Sequence, residues 1–170
     1  KYLKKRGVFV SYDPNIRHSN AINKTSVKNR VFRLLNLADL AKLSEIDLEY
    51  LTGQKSPLKG LEMLKKHVKS ELVLTLGAKG SMYLDHNGLL TQILAFKVKI
   101  ADTIGAGDAF TAGLIYRLIK QGKARFFANI RSNMIFASAV SAIICTKKGS
   151  HQGLKNLKQV DLFLAGYNQR

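Results

Sequence analysis

The chain has 170 residues, enough for one ordinary domain to bury roughly 70% of the surface its unfolded form exposes. Hydrophobic residues make up 46% and charged residues 23%, with 13 Gly and only 2 Pro, which excludes a disordered or low-complexity chain. The formal net charge of +17 raises the question of a nucleic-acid partner, but the basic residues lie in short dispersed clusters without the interleaved aromatics of a stacking platform.

The chain opens on Lys1-Tyr2-Leu3-Lys4-Lys5-Arg6 with no apolar region behind the charges, so no secretory peptide is expected. Those residues read as the end of a helix. Gly7 then turns the chain into a strand, Val8 to Tyr12, which Asp13-Pro14-Asn15 ends. Val27, Val31, Leu34 and Leu35 recur at helical spacing within Val27 to Leu37, and Ala38 to Leu43 reads as a short buried strand. Ser44 and Asp47 stand three apart, as an N-cap and its capping-box partner do, before a short helix ending near Gly53.

Leu58 to Val68 has helical spacing, and Leu72 to Leu76 is a near-continuous apolar strand; helix followed by buried strand is the rhythm of a parallel sheet. Ser81 to Leu84 and Leu89 to Leu94 flank Asp85-His86-Asn87-Gly88, whose Asn-Gly pair signals an antiparallel hairpin. Phe96 to Ile100 reads as a further strand. Phe110, Leu114 and Leu118 share a helical face, Ala124 to Cys145 forms a second helical stretch, and Leu157 to Leu164 a last short helix.

Met134 to Cys145 is the most apolar stretch, yet it is well short of the roughly 20 residues a membrane span needs. A buried helix is the reading, with Cys145 packed in the core. This lone cysteine cannot form an intramolecular disulfide, and together with the lack of a Cys/His cluster at zinc-ligand spacing it points to a reducing, cytoplasmic setting. His18, His67, His86 and His151 carry no nucleophile pattern and read as surface residues. With no linker or repeat, residues 1–170 are expected to form one α/β domain.

The segment that carries chemistry is Asp102-Thr103-Ile104-Gly105-Ala106-Gly107-Asp108-Ala109-Phe110, between a predicted strand and a predicted helix. The first amides of a helix lack internal partners and carry the positive end of its dipole, so they can hold a phosphate. Gly105 and Gly107 have no Cβ to keep an anion away. Asp108, in the first turn, could accept the proton of a hydroxyl attacking that phosphate. On these residues alone, a glycine turn followed by an aspartate that stabilises the helix start is an equal alternative. A P-loop is excluded because Gly-x-x-x-x-Gly-Lys-Ser/Thr does not occur, and Phe110 stands where the dinucleotide fingerprint needs its third glycine.

Residues 102–110 closely resemble the Asp-Thr-x-Gly-Ala-Gly-Asp-x-Phe signature of ribokinase-like (PfkB) sugar kinases. Four further segments resemble that family in its order: Ser11 to Arg17 (Asp-Pro-Asn-x-Arg, as in the fructokinase branch), Ala38 to Gly53, Val73 to Gly80, and Ser138 to Ser150. The resemblance implies a mainly parallel central sheet flanked by helices, a small antiparallel hairpin element, and a chain that lacks the family's amino-terminal half and lid. It implies ATP-dependent phosphorylation of a sugar hydroxyl, with Asp108 as general base and Gly105, Ala106 and Gly107 as an anion hole.

For the nucleotide the resemblance implies Thr75, Gly77, Gly80, Ser138 and Lys42. A strand-ending turn at Gly77 and Gly80, and a solvated Lys42, are the plainer alternatives. For magnesium it implies Ser44 and Asp47, reached through water because the family's longer Glu is here an Asp. For a monovalent cation, with K⁺ the candidate, it implies Asp102, Ile104 and Gly149. Ser138 stands where relatives often carry Asn, so adenine recognition differs there. The expected partners are ATP, a small sugar, and either a second copy or a missing amino-terminal half. Fructose is favoured as acceptor by the Asp-Pro-Asn-x-Arg segment, with 2-keto-3-deoxygluconate and ribose open. Two rival readings remain: a basic nucleic-acid-binding protein on a kinase-like fold, and an inactive nucleotide-binding fragment.

Overall fold

The computed structural model describes residues 2–16, 24–149 and 153–167. The expectations resting on Arg17, His18, Ser150 and His151 lie outside them. The chain divides into two compact units, residues 1–76 with 82–92 and residues 77–81 with 93–170.

The first unit is built on a five-stranded sheet in the order β1 (Ser11–Tyr12), β2 (Leu40–Ser44), β3 (Glu71–Thr75), β4 (Ser81–Leu84), β5 (Leu90–Ile93). The first three strands are parallel, with Leu40 opposite Glu71 and Ser44 opposite Thr75. Connections of a few residues cannot cross over, so β3 to β5 run up and down. This is the mainly parallel sheet with a hairpin element that the sequence foretells. Helix α1 (Tyr2–Lys5) precedes β1; α2 (Lys24–Leu35), α3 (Glu45–Thr52) and α4 (Pro57–Lys65) fill the two crossovers.

Leu43, Leu72 and Leu74 on the strands pack with Leu35, Leu61 and Leu64 on α2 and α4, all fully buried. Each such side chain contributes about 1.5–3 kcal/mol when removed from water. At the start of β3, Glu71 accepts a hydrogen bond from the buried Tyr83 hydroxyl on β4 (3.1 Å) and pairs with exposed His86 (2.9 Å), which ties the hairpin turn to β3. Burial, with Glu71 beside it, pushes the Tyr83 hydroxyl far above the usual phenol range.

Strand β1 is shorter than Val8 to Tyr12 implies. Val10 donates to the Asp39 carboxylate (2.9 Å), and its carbonyl accepts from the amides of Asp39 (2.8 Å) and Leu40 (3.3 Å), so a side chain takes part of the ladder's place.

The second unit holds α5 (Ala106–Ala128), α6 (Ile130–Cys145) and α7 (Lys158–Tyr167). Phe136, Ala139, Val140, Ile143 and Val160 form its core, and Phe96 packs against them with its ring 5.1 Å from Phe163 and 4.6 Å from Tyr167. The stretch Phe96 to Ile100 is not a strand: its backbone joins no ladder among the described residues, and the Phe96 ring anchors it instead.

The helical stretch expected from Ala124 is also divided differently. Residues 124–128 close α5 beyond a break at Gly122 (φ 73, ψ 163), and α6 starts at Ile130. Buried Asn133 holds this corner, accepting from Arg117 Nε (2.8 Å) and donating to the Phe126 carbonyl (2.9 Å). No helix among the described residues is long and apolar enough to cross a membrane.

Candidate functional site

In the first unit the candidate residues gather at the carboxyl ends of β2 and β3, the edge at which open α/β sheets present ligand sites. Ser44 ends β2 and caps α3: its hydroxyl accepts from the Asp47 amide (3.2 Å), and Asp47 returns the bond to the Ser44 amide (2.8 Å). The expected capping box is therefore complete. Gly53 closes the helix in the left-handed region (φ 73), donating to the Glu49 carbonyl (2.7 Å).

Asp47 does more than cap. It is 2% exposed, its Oδ2 also accepts from the Ser44 hydroxyl (2.6 Å), and its Oδ1 accepts from the amide of Ile16 (2.7 Å). One carboxylate thus joins the start of α3 to the loop after β1. Direct magnesium coordination by Asp47 does not fit this arrangement, since the carboxylate is buried and both its oxygens accept protein donors.

Lys42 is no solvated lysine. It is 7% exposed, and its Nζ lies 2.6 Å from Asp13 Oδ2, pinning the other end of the same loop. Asn15, between the two tethers, has φ 41, a backbone region that Asn tolerates better than most side chains. The Thr75 hydroxyl donates to the Leu43 carbonyl (3.2 Å), across the parallel pair.

In the second unit Gly105 (φ 79, ψ 0) is the N-cap of α5, and Asp108 lies exposed in the first turn. The Asp108 side chain makes no hydrogen bond or ion pair among the described residues. Of the three amides expected to form the anion hole, that of Ala106 is already used, donating to the Thr103 carbonyl (3.1 Å). The amides of Gly105, Gly107 and Asp108 have no partner among the described residues. Two of the three expected donors, Gly105 and Gly107, are thus open, and the Asp108 amide stands in for that of Ala106, on which the turn from Thr103 closes.

Asp102, Ile104 and Gly149, named for a cation, are brought together. The Asp102 carboxylate accepts from Ile104 N (3.0 Å) and Gly149 N (3.1 Å). Amide donation from Ile104, with that of Gly149 and Thr103, holds the carboxyl below the usual carboxylate range. A carboxyl with a depressed folded-state pKa stabilises the fold above the unfolded value, and that contribution is lost as pH falls through the folded one. Thermal melting against pH should show acid destabilisation that is smaller in Asp102→Asn; equal acid slopes in parent and variant would remove the pinch from the account.

Gly80 answers to geometry within its own unit. It has φ +100, and a Cβ there would sit 2.0 Å from the Ile93 carbonyl oxygen. Gly77 (φ +53) has open space around it. Ser138 is buried on α6 at 8% exposure. Cys145 is half-buried rather than in the core, and burial raises its thiol pKa; its carbonyl accepts from the amides of Ala101 (2.8 Å) and Asp102 (3.3 Å).

The loop tethers at Asp13 and Ile16, and the hydroxyl of Ser141 on the Ala106 carbonyl (2.9 Å), were not foreseen. No spacing signals them, because the partners lie about thirty residues or more apart.

The chain resembles fructokinase-1 of Zea mays at 34% identity over 165 residues, covering 92% of this chain and 49% of that protein. Among solved structures, a double-mutant fructokinase from Vibrio cholerae O395 in a fructose, ADP and potassium ion bound form superposes with a TM-score of 0.85 at 34% identity, over 95% of this chain and 52% of that one. Aminoimidazole riboside kinase from Salmonella enterica, complexed with aminoimidazole riboside and an ATP analog, gives 0.84 at 26% identity over 96% and 54%. The chain spans about half the length of the curated relatives it matches. Residues 1–157 match the pfkB family carbohydrate kinases, and the chain belongs to that family.

Proposed function

We propose that this chain is the phosphate-holding, base-bearing part of a fructokinase-like sugar kinase, which transfers the γ-phosphoryl group of ATP to a sugar hydroxyl. The observation that carries the reading is Asp108, an exposed carboxylate without a competing partner among the described residues, in the same helical turn as unengaged amides. Asp108 takes the proton as the sugar oxygen attacks. The amides of Gly105, Gly107 and Asp108 stabilise charge developing on the transferred group, in a site where fixed dipoles need little reorganisation.

In the first unit Lys42 and Asp47 hold the loop at residues 13–16 and Thr75 is a nucleotide candidate; in the second, Gly77 and Ser138 are. Magnesium accompanies ATP through phosphate oxygens and water, and no side chain of this chain is assigned to it. Potassium suits Asp102 and the carbonyls of Ile104 and Gly149, since oxygen donors match a hard cation; a bound cation there would steady the loop. Fructose is the favoured acceptor, on the likeness to fructokinases and the Asp13-Pro14-Asn15 segment.

A coupled assay for ADP release tests the reading, with the chain alone and joined to the remainder of a relative's length, against hexoses, pentoses and nucleosides. Fructose-dependent ADP release in at least the joined form is expected. Release that no sugar stimulates, in either form, counts against phosphoryl transfer.

A further inference from the structure

The first turn of α5 is gripped from two sides. On one, the Asp102 carboxylate ties Ile104 N to Gly149 N (3.0 and 3.1 Å). On the other, the Ser141 hydroxyl on α6 donates to the Ala106 carbonyl at 2.9 Å. Ser141 sits in an otherwise apolar run, Ala139 to Ile144, where a hydroxyl contributes nothing to hydrophobic packing. The seam beside it is tight: a Cβ on Gly113 would lie 2.8 Å from the Ala137 Cα. Close backbone approach at Gly113 and the hydroxyl bond at Ala106 fix α5 against α6 at two separate levels.

We propose that Ser141 is a positioning residue of the phosphate loop, holding the first turn of α5 so that the amides of Gly107 and Asp108, and the Asp108 carboxylate, stay aimed outward. This rests on the phosphoryl-transfer reading for its purpose, though the brace itself is a structural statement. Amides held in place before the anion arrives cost less to order when it binds. The Ala106 carbonyl and the Gly107 N–H belong to one planar peptide group, so any tilt of that carbonyl also turns the donor.

Hydrogen exchange on the intact chain tests the brace without reference to catalysis. Ser141→Ala should speed exchange of the hydrogen-bonded first-turn amides at 109–110 by about fivefold, the effect of losing one ordinary hydrogen bond, and leave 114–118 and α6 near the parent rate. Ser141→Cys, which keeps the volume and weakens the donor, should give the same pattern, and Ser141→Thr should restore slow exchange. Affinity for a non-hydrolysable ATP analogue, which keeps the γ-phosphate those amides would hold, should fall about three- to tenfold in the Ala variant and return with Thr.

Unchanged exchange at 109–110, or an increase shared equally by α5 and α6, overturns the proposal, as does parent-like affinity for the ATP analogue in the Ala variant. If a non-hydrolysable ATP analogue binds neither the parent chain nor its joined form, the phosphoryl-transfer reading fails, and the exchange result alone still decides whether Ser141 braces the turn.

Discussion

Asp108→Asn is expected to lower turnover by about 10²–10⁴, equivalent to about 3–5 kcal/mol of barrier, while ADP affinity stays within about twofold. The substitution removes the proton acceptor and keeps the size of the side chain and the amide at the same helical position. Because Asp108 is exposed and unpaired among the described residues, its loss leaves no buried partner stranded. The effect on melting should therefore be limited to the dipole contribution of a first-turn carboxylate, about 0.3–1 kcal/mol. A residue that merely starts the helix predicts the reverse: a small stability loss with turnover intact. Steady-state kinetics and melting on one preparation separate the two, and wild-type turnover in the variant would withdraw the base.

The sequence was legible wherever the determining interaction is local. The cap of α3 needs only Ser44, Asp47 and Gly53, all within one short helix, and each behaves as its spacing implies. The start of α5 after Gly105 is equally local. The second function of Asp47 was not legible, because Oδ1 reaches an amide 31 residues away and nothing in a capping box announces a spare oxygen. Lys42 looked like any lysine on a strand until the fold set Asp13 beside it. Apolar content misled at Phe96 to Ile100, where the ring of Phe96, not strand pairing, fixes the segment.

The same distinction separates the two glycines of the turn after β3. A family reading gives Gly77 and Gly80 one role, close approach of a nucleotide, whereas the structure gives them different surroundings. At Gly80 a Cβ would fall 2.0 Å from the Ile93 carbonyl oxygen and 2.7 Å from the Ala95 amide nitrogen. Backbone atoms cannot swing aside as a side-chain tip can, so Gly80→Ala must displace the strand end while also holding a non-glycine residue at φ +100.

A loss of about 3 kcal/mol or more is expected for Gly80→Ala, or about 6–12 °C in melting temperature for a chain of this size. Gly77→Ala meets nothing within 4 Å and carries only the conformational cost of φ +53, about 1 kcal/mol. If Gly77 serves the nucleotide, its variant should melt near the parent and yet bind ADP more weakly, since the new methyl occupies open space. Melting of both variants, with ADP titration of the stable one, reads the two roles apart. A Gly80→Ala protein melting within about 1 °C of the parent would mean that the strand end yields freely, and the steric account of that glycine would be wrong.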